Sequence, residues 1–101
     1  VQIAVWVAPG KPVAVGRVHR LGTEEARIRY MCVEPQWRGF GVGAALLAAL
    51  ERCARADGAR HIVLDARAGA LRFYARHGYR DAGPARTLFG TIRHRRMVKT
   101  L

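Results

Sequence analysis

Serine and asparagine are both missing from the 101 residues of this chain. The first absence rules out Ser-His-Asp hydrolysis, and the second rules out an N-glycosylation acceptor. Cysteine is scarce. Cys32 and Cys53 each lie in an apolar-patterned segment, which predicts two small core thiols in a reducing, cytoplasmic setting rather than a disulfide. The histidines His19, His61, His77 and His94 show no ligand spacing with each other or with the cysteines, so no metal is expected. Long hydrophobic runs are absent too. Val1 to Ala8 is apolar but has no basic flank, and Pro9-Gly10 cuts it short of a signal peptide. Val42 to Leu50 is well under the roughly 20 residues of a membrane span. The expectation is a soluble protein with no membrane partner.

Negative charge is also in short supply. Lys and Arg number 18 against 7 Asp and Glu, a formal net charge of +11. Such an excess suits an anionic partner: a phosphorylated cofactor, an acidic substrate or nucleic acid. The arginines are spread along the chain, however, and an arginine- and alanine-rich composition would give the same excess. The length allows one domain, residues 1–101, with one modest core.

Local patterns give an α+β order. Val1 to Ala8 reads as a strand closed by the turn Pro9-Gly10-Lys11-Pro12. Val13 to Leu21 alternates as a second strand. Ala26 to Val33 follows as a third, with Ala26, Ile28, Tyr30 and Cys32 predicted on one face and Arg27, Arg29, Met31 and Val33 on the other. Short polar turns between them make an antiparallel meander. After Pro35 the period lengthens. Val42, Ala45, Leu46, Ala49, Leu50 and Cys53 form a helical stripe, Glu51 and Arg55 stand four apart as a helix-surface pair, and Gly58 is the stop. His61 to Asp65 is a short strand, and Ala68 to His77 a second helix with Gly78 just beyond. Thr87 to Phe89 and Arg93 to Thr100 are weaker strands.

The segment richest in chemistry is Arg38-Gly39-Phe40-Gly41-Val42-Gly43-Ala44. Three glycines in five residues weaken any regular element, yet they suit backbone that must approach a ligand. A helix starting here presents unpaired N–H groups and partial positive charge, which fit phosphate oxygens, and Arg38 adds a charge-assisted contact. The loop reads as a diphosphate cradle. No Gly-Lys-Ser/Thr follows, so it is not a Walker loop. Gly39, Gly41 and Ala44 fit a dinucleotide fingerprint with Asp65 as its acid, but five residues separate the glycines from the strand, and the chain is short for a doubly wound sheet.

Val33 to Leu47 resembles the central motif of the GNAT acyltransferases, R/Q-x-x-G-x-G/A, with Arg38, Gly41 and Gly43 at its signature positions. Phe73-Tyr74-Ala75-Arg76-His77-Gly78-Tyr79 resembles the family's second signature. The ending, Gly90 to Met97, is similar to a bacterial ElaA-like branch. The resemblance implies a GNAT-like, mainly antiparallel sheet with helices on its faces. It also implies an N-acetyltransferase using acetyl-CoA as cosubstrate on a small-molecule or peptide amine. By matching position, Met31, Cys32 and Val33 would run beside the pantetheine arm. Arg38, Gly39, Phe40, Gly41, Val42, Gly43 and Ala44 would hold the diphosphate, and Tyr74 would protonate the departing thiolate. Arg27 stands where some relatives carry a glutamate base, and Arg67 where many have asparagine. Family members usually begin with a further strand and helix pair. This chain starts at a meander strand, a truncated or minimal form in which an open edge would make homodimers or aggregates a liability.

Acyl transfer to an amine needs a neutral amine and help for the leaving thiolate. With a pKa near 10.4, a lysine-like amine is almost wholly charged at pH 7, so some base or water path must take its proton. The base stays open among Glu24, Glu25, Glu34, His19 and His94. Two other readings compete: a catalytically silent CoA-binding module, and a basic nucleic-acid-binding domain built on Arg93-His94-Arg95-Arg96. Strand alternation splits that basic cluster between two faces, and no aromatic platform interleaves it, so no nucleic-acid partner is expected.

Overall fold

A computed structural model describes residues 2–5, 12–85 and 94–101. Most of the Val1 to Pro12 strand-and-turn, the Thr87 to Phe89 strand and the start of the Gly90 to Met97 ending lie outside these residues. Among the described residues, six strands form one sheet: β1 (Gln2–Val5), β2 (Ala14–Arg20), β3 (Glu25–Val33), β4 (His61–Arg67), β5 (Arg80–Pro84) and β6 (His94–Thr100). Helix α1 (Val42–Ala56) links β3 to β4, and α2 (Leu71–Arg76) links β4 to β5. The sheet order is β1-β2-β3-β4-β6-β5. The expected meander is present as antiparallel β1–β2–β3 pairing. Among the described strands, only β3 and β4 pair in parallel, a pairing that the intervening helix allows.

The core lies between α1 and one sheet face, with Leu46, Leu47, Leu50, Ile62 and Leu64 fully buried. A Cβ at Gly16 of β2 would sit 2.8 Å from Leu50 Cδ1, so the helix packs against bare backbone there. The α1 stripe is rotated from the predicted one. Ala45 is exposed, while Leu47, Glu51 and Ala54 are buried, because residues 47, 51 and 54 complete the stripe begun by 46 and 50. Glu51 therefore points inward and does not serve the surface pair with Arg55.

Strand β3 departs from simple alternation. Arg17 pairs with Tyr30 and Val18 with Ile28, which leaves Arg29 as the extra residue of a β-bulge. Before the bulge, Ala26 and Ile28 face the core. After it, the inward positions become Met31 and Val33, which pack against the core cluster. Tyr30 and Cys32 are thereby exposed, correcting both the predicted face and the predicted burial of Cys32.

The second helix is shorter than its pattern, with a 3-10 turn over Ala68–Ala70 ahead of α2. Strand β5 was not foreseen. Arg80-Asp-Ala-Gly-Pro has no apolar alternation, and its strand form comes from pairing with β6 and from the Asp81–Arg95 ion pair. Among the described residues, no helix is long and apolar enough to cross a membrane, and no cluster of side chains could hold a metal.

Candidate active site

Pairing between β3 and β4 covers three positions: Glu25 with His61, Ala26 with Ile62, and Arg27 with Val63. Beyond Arg27 the bulge bends β3, while β4 continues straight with β6, so the two strands part into a V. Its apex is at Arg27 and Val63. Its mouth lies where β3 ends at Val33 and the chain turns toward α1.

The glycine loop occupies that mouth. Glu34 is followed by a 3-10 turn over Pro35–Trp37, and Arg38 Nε donates to the Val33 carbonyl at 3.4 Å, tying the loop to the strand end. Gly39 and Gly41 have φ of +86° and +78°, left-handed values that side-chain-bearing residues resist. A Cβ at either would meet nothing within 4 Å. These glycines therefore serve backbone shape, not packing. Gly41 caps α1 without a side-chain hydrogen bond, and the first turn carries no acidic residue. The leading N–H groups are thus left available to an anion. Phe40 stands 72% exposed between the two glycines, its ring centroid 6.0 Å from that of Trp37 in a T-shaped contact. Gly43 has a different role: a Cβ there would lie 3.4 Å from Phe73 Cζ. The glycine motif and the Phe-Tyr motif, 30 residues apart, are in contact.

Tyr74 reaches across the V from the helix side. Its hydroxyl lies 3.7 Å from Met31 Sδ, so a residue of α2, which follows β4, touches the diverging β3. Its ring packs edge-on against Phe73 and Tyr79 at 5.1 and 5.7 Å. Burial raises the Tyr74 hydroxyl above its ordinary range, which keeps it protonated. Of the predicted donor-site residues, Met31, Val33, Gly43 and Tyr74 converge on the V, Arg38 to Val42 and Ala44 form its rim, and Cys32 points to the opposite sheet face.

That opposite face is charged. His19 pairs with Arg27, and Arg27 with Val63, in three adjacent strands. Arg27 Nη2 donates to Asp65 Oδ2, and Arg96 Nε reaches Asp65 Oδ1 at 3.3 Å. Asp65 is therefore occupied by two guanidinium groups and is not free to bind a ribose. The imidazole of His19 is held below its ordinary value, first by desolvation and then by the positive charges of Arg29, Arg17 and Arg27. Of the five candidate bases, Glu24 pairs with Arg60, Glu25 and Glu34 are exposed at either end of β3, and His94 starts β6 opposite Arg67. His19 alone lies beside the apex. Sequence reading had not joined Arg17 and Arg29 to the site. Their alternation with His19 and Arg27 was a signal, but the bulge concealed which face Arg29 takes.

Residues 2–81 match the Acetyltransferase (GNAT) domain. The chain belongs to the GNAT family. Its relatives include the uncharacterized N-acetyltransferase YjcF of Bacillus subtilis, 36% identical over 88% of this chain and 63% of YjcF. An aminoglycoside N(6')-acetyltransferase type 1 of Stenotrophomonas maltophilia is 39% identical over 55% of this chain and 39% of its own. The crystal structure of an acetyltransferase from Bacillus cereus ATCC 14579 overlays with a TM-score of 0.88 at 27% identity, covering all of this chain and 72% of that one. The GNAT chain spans 63% and 39% of the lengths of these two curated relatives. Its six-stranded V, glycine loop and Phe-Tyr helix are the GNAT fold.

Proposed function

We propose that this chain carries the acetyl-CoA site of an N-acetyltransferase and moves the acetyl group to an amine. The observation that carries this reading is the V between β3 and β4, with the uncapped start of α1 at its mouth and the Tyr74 hydroxyl inside. The diphosphate would sit on the loop from Arg38 to Ala44, with Gly39 and Gly41 shaping the nest. The pantetheine arm would follow the freed edge of Met31, Cys32 and Val33, whose backbone groups have no β4 partner. An extended arm lying there brings the thioester toward the bulge. The exposed, unpaired thiol of Cys32 is in keeping with a reducing cytoplasm.

The reaction then divides between the two sheet faces. The amine nitrogen attacks the thioester carbonyl carbon from the charged side, its lone pair forming the C–N bond. As the C–S bond breaks, the thiolate takes the proton of the Tyr74 hydroxyl on the helix side. His19, neutral at pH 7, receives the amine proton directly or through one water. The products are the acetamide and free CoA.

Tyr74→Phe is expected to lower kcat roughly 10²-fold, the low end for acid assistance, because a thiolate already leaves readily. KM for acetyl-CoA should change little, and unchanged kcat removes Tyr74 from the proton path. The alkaline limb of the rate profile should fall no lower than the ordinary tyrosine pKa of about 10, since burial moves Tyr74 upward. For His19 the sign is opposite. Its depressed pKa places the acidic limb of kcat/KM below about 6.5, and His19→Gln should abolish that limb. A limb that survives the substitution assigns the base elsewhere. The deciding assay follows thiol release from acetyl-CoA across a panel of amines. Acetyl-CoA binding with no thiol release on any amine would instead mark a silent CoA-binding module.

A further inference from the structure

We infer that the amine acceptor is itself an acid, a small amine carrying one or more carboxylate groups that Arg17 and Arg29 bind on the sheet face opposite α1. The inference rests on the acetyltransferase reading and specifies its substrate.

The seven Asp and Glu side chains are all among the described residues, so the internal counter-ions they supply can be followed one by one. Glu24 pairs with Arg60, Glu51 with Lys99, Asp57 with Arg20, Asp81 with Arg95, and Asp65 with both Arg27 and Arg96. Glu25 and Glu34 are exposed at the two ends of β3. No carboxylate lies within ion-pair distance of Arg17 or Arg29, although both stand beside the V. Arg17 is cross-strand partner to Tyr30, the residue next to the bulge, and Arg29 is the bulge.

Arg27 adds charge at the apex but no free donor, since its Nη2 holds Asp65 and its Nε is shut away from solvent. The arginines set a net positive field here, which adds to desolvation, the larger cause, in holding the His19 imidazole below its ordinary value. That field disfavours a cationic substrate and attracts an anionic one. It also promotes the reaction, because surrounding positive charge lowers the pKa of a bound ammonium as it lowers that of His19. Arg27 thus helps produce a neutral nucleophile without accepting its proton. Arg17, Arg27 and Arg29 occupy neighbouring positions of β2 and β3, a compact patch that favours a small acid over nucleic acid.

The test measures kcat/KM at saturating acetyl-CoA for glutamate and aspartate, for neutral amino-acid amides, and for spermidine and an aminoglycoside. The acidic amines should lead by at least about 10-fold. In Arg17→Gln/Arg29→Gln, two exposed changes with little bearing on folding, the preference should fall toward unity through KM, by roughly 10- to 100-fold for the acids. A preference for the polycations, or none, overturns the proposal and leaves the acetyltransferase reading intact. Calorimetric binding of acetyl-CoA without acetylation of any acidic amine overturns it too. Failure to bind acetyl-CoA overturns both. Tighter binding of a single-stranded DNA oligomer than of the acids, with steep salt dependence, would make this a nucleic-acid surface and overturn the acceptor assignment.

Discussion

Gly41→Val is expected to weaken acetyl-CoA binding about 10³-fold while the protein stays folded. At φ +78°, a left-handed conformation costs an ordinary L-residue roughly 1–2 kcal/mol, and a β-branched one more. The valine can accept that strain or rotate the loop out of it. Rotation turns the leading N–H groups of α1 away from the mouth of the V and forfeits two charge-assisted hydrogen bonds to the diphosphate, about 1.5–3 kcal/mol each. The stability loss is limited to that backbone strain, because a Cβ at Gly41 meets nothing within 4 Å. Gly41→Ala, with less steric demand, should lose about 10-fold. Arg38→Ala, which removes an exposed guanidinium that donates to the Val33 carbonyl, should lose roughly 10- to 100-fold. Titration calorimetry alongside a thermal melt separates binding from folding. Equal affinity in all three variants with unchanged melting would mean that this loop does not hold the diphosphate.

The loop was legible in the sequence because its demand is local. Left-handed backbone ahead of an amphipathic helix calls for glycine whatever the rest of the fold does. The three meander strands, α1, and the glycines ending both helices were legible for the same reason: alternation, a 3.6-residue period and the left-handed Gly58 and Gly78 are written within a few residues. What sequence reading missed depends on distant partners. The β3 bulge is set by register with β2, and it moved Tyr30 and Cys32 to the charged face while bringing Met31 under Tyr74. Strand β5 exists because β6 is beside it. The charged face is harder still to read. Arg17, Arg27, Arg29 and Arg96 come from three strands, and nothing along the chain tells which two have a carboxylate and which two do not.

The buried Glu51 connects α1 to Lys99 of β6 and to Tyr79, just beyond the helix that carries Tyr74. The Tyr79 hydroxyl donates to Glu51 Oε2 at 2.8 Å, and Lys99 Nζ donates to Oε1 and Oε2 at 3.0 and 3.2 Å. Burial, and then the bond to this carboxylate, push the Tyr79 hydroxyl far above its ordinary range. Its raised pKa gives stability that is complete below about pH 10 and declines only above it. Glu51→Ala strands the tyrosine hydroxyl and the ammonium together. Breaking a buried pair costs about 3–5 kcal/mol, and the partial exposure of Lys99 to water puts this one near 3. For a domain of this size that lowers Tm by roughly 12–24 °C. Glu51→Gln keeps an acceptor for Tyr79 and should cost about half as much. Glu51→Leu with Tyr79→Phe and Lys99→Met removes all three polar groups and should recover most of the loss, since what destabilises is the unpaired group and not the missing bond. If Glu51→Ala shifts Tm by less than a few degrees, the network is not holding α1 to β6. The ring of Tyr79 also packs edge-on against Tyr74, so the stability-restoring triple variant separates folding from positioning. With Phe at 79 the edge contact remains, and acetyl transfer should survive wherever the fold does.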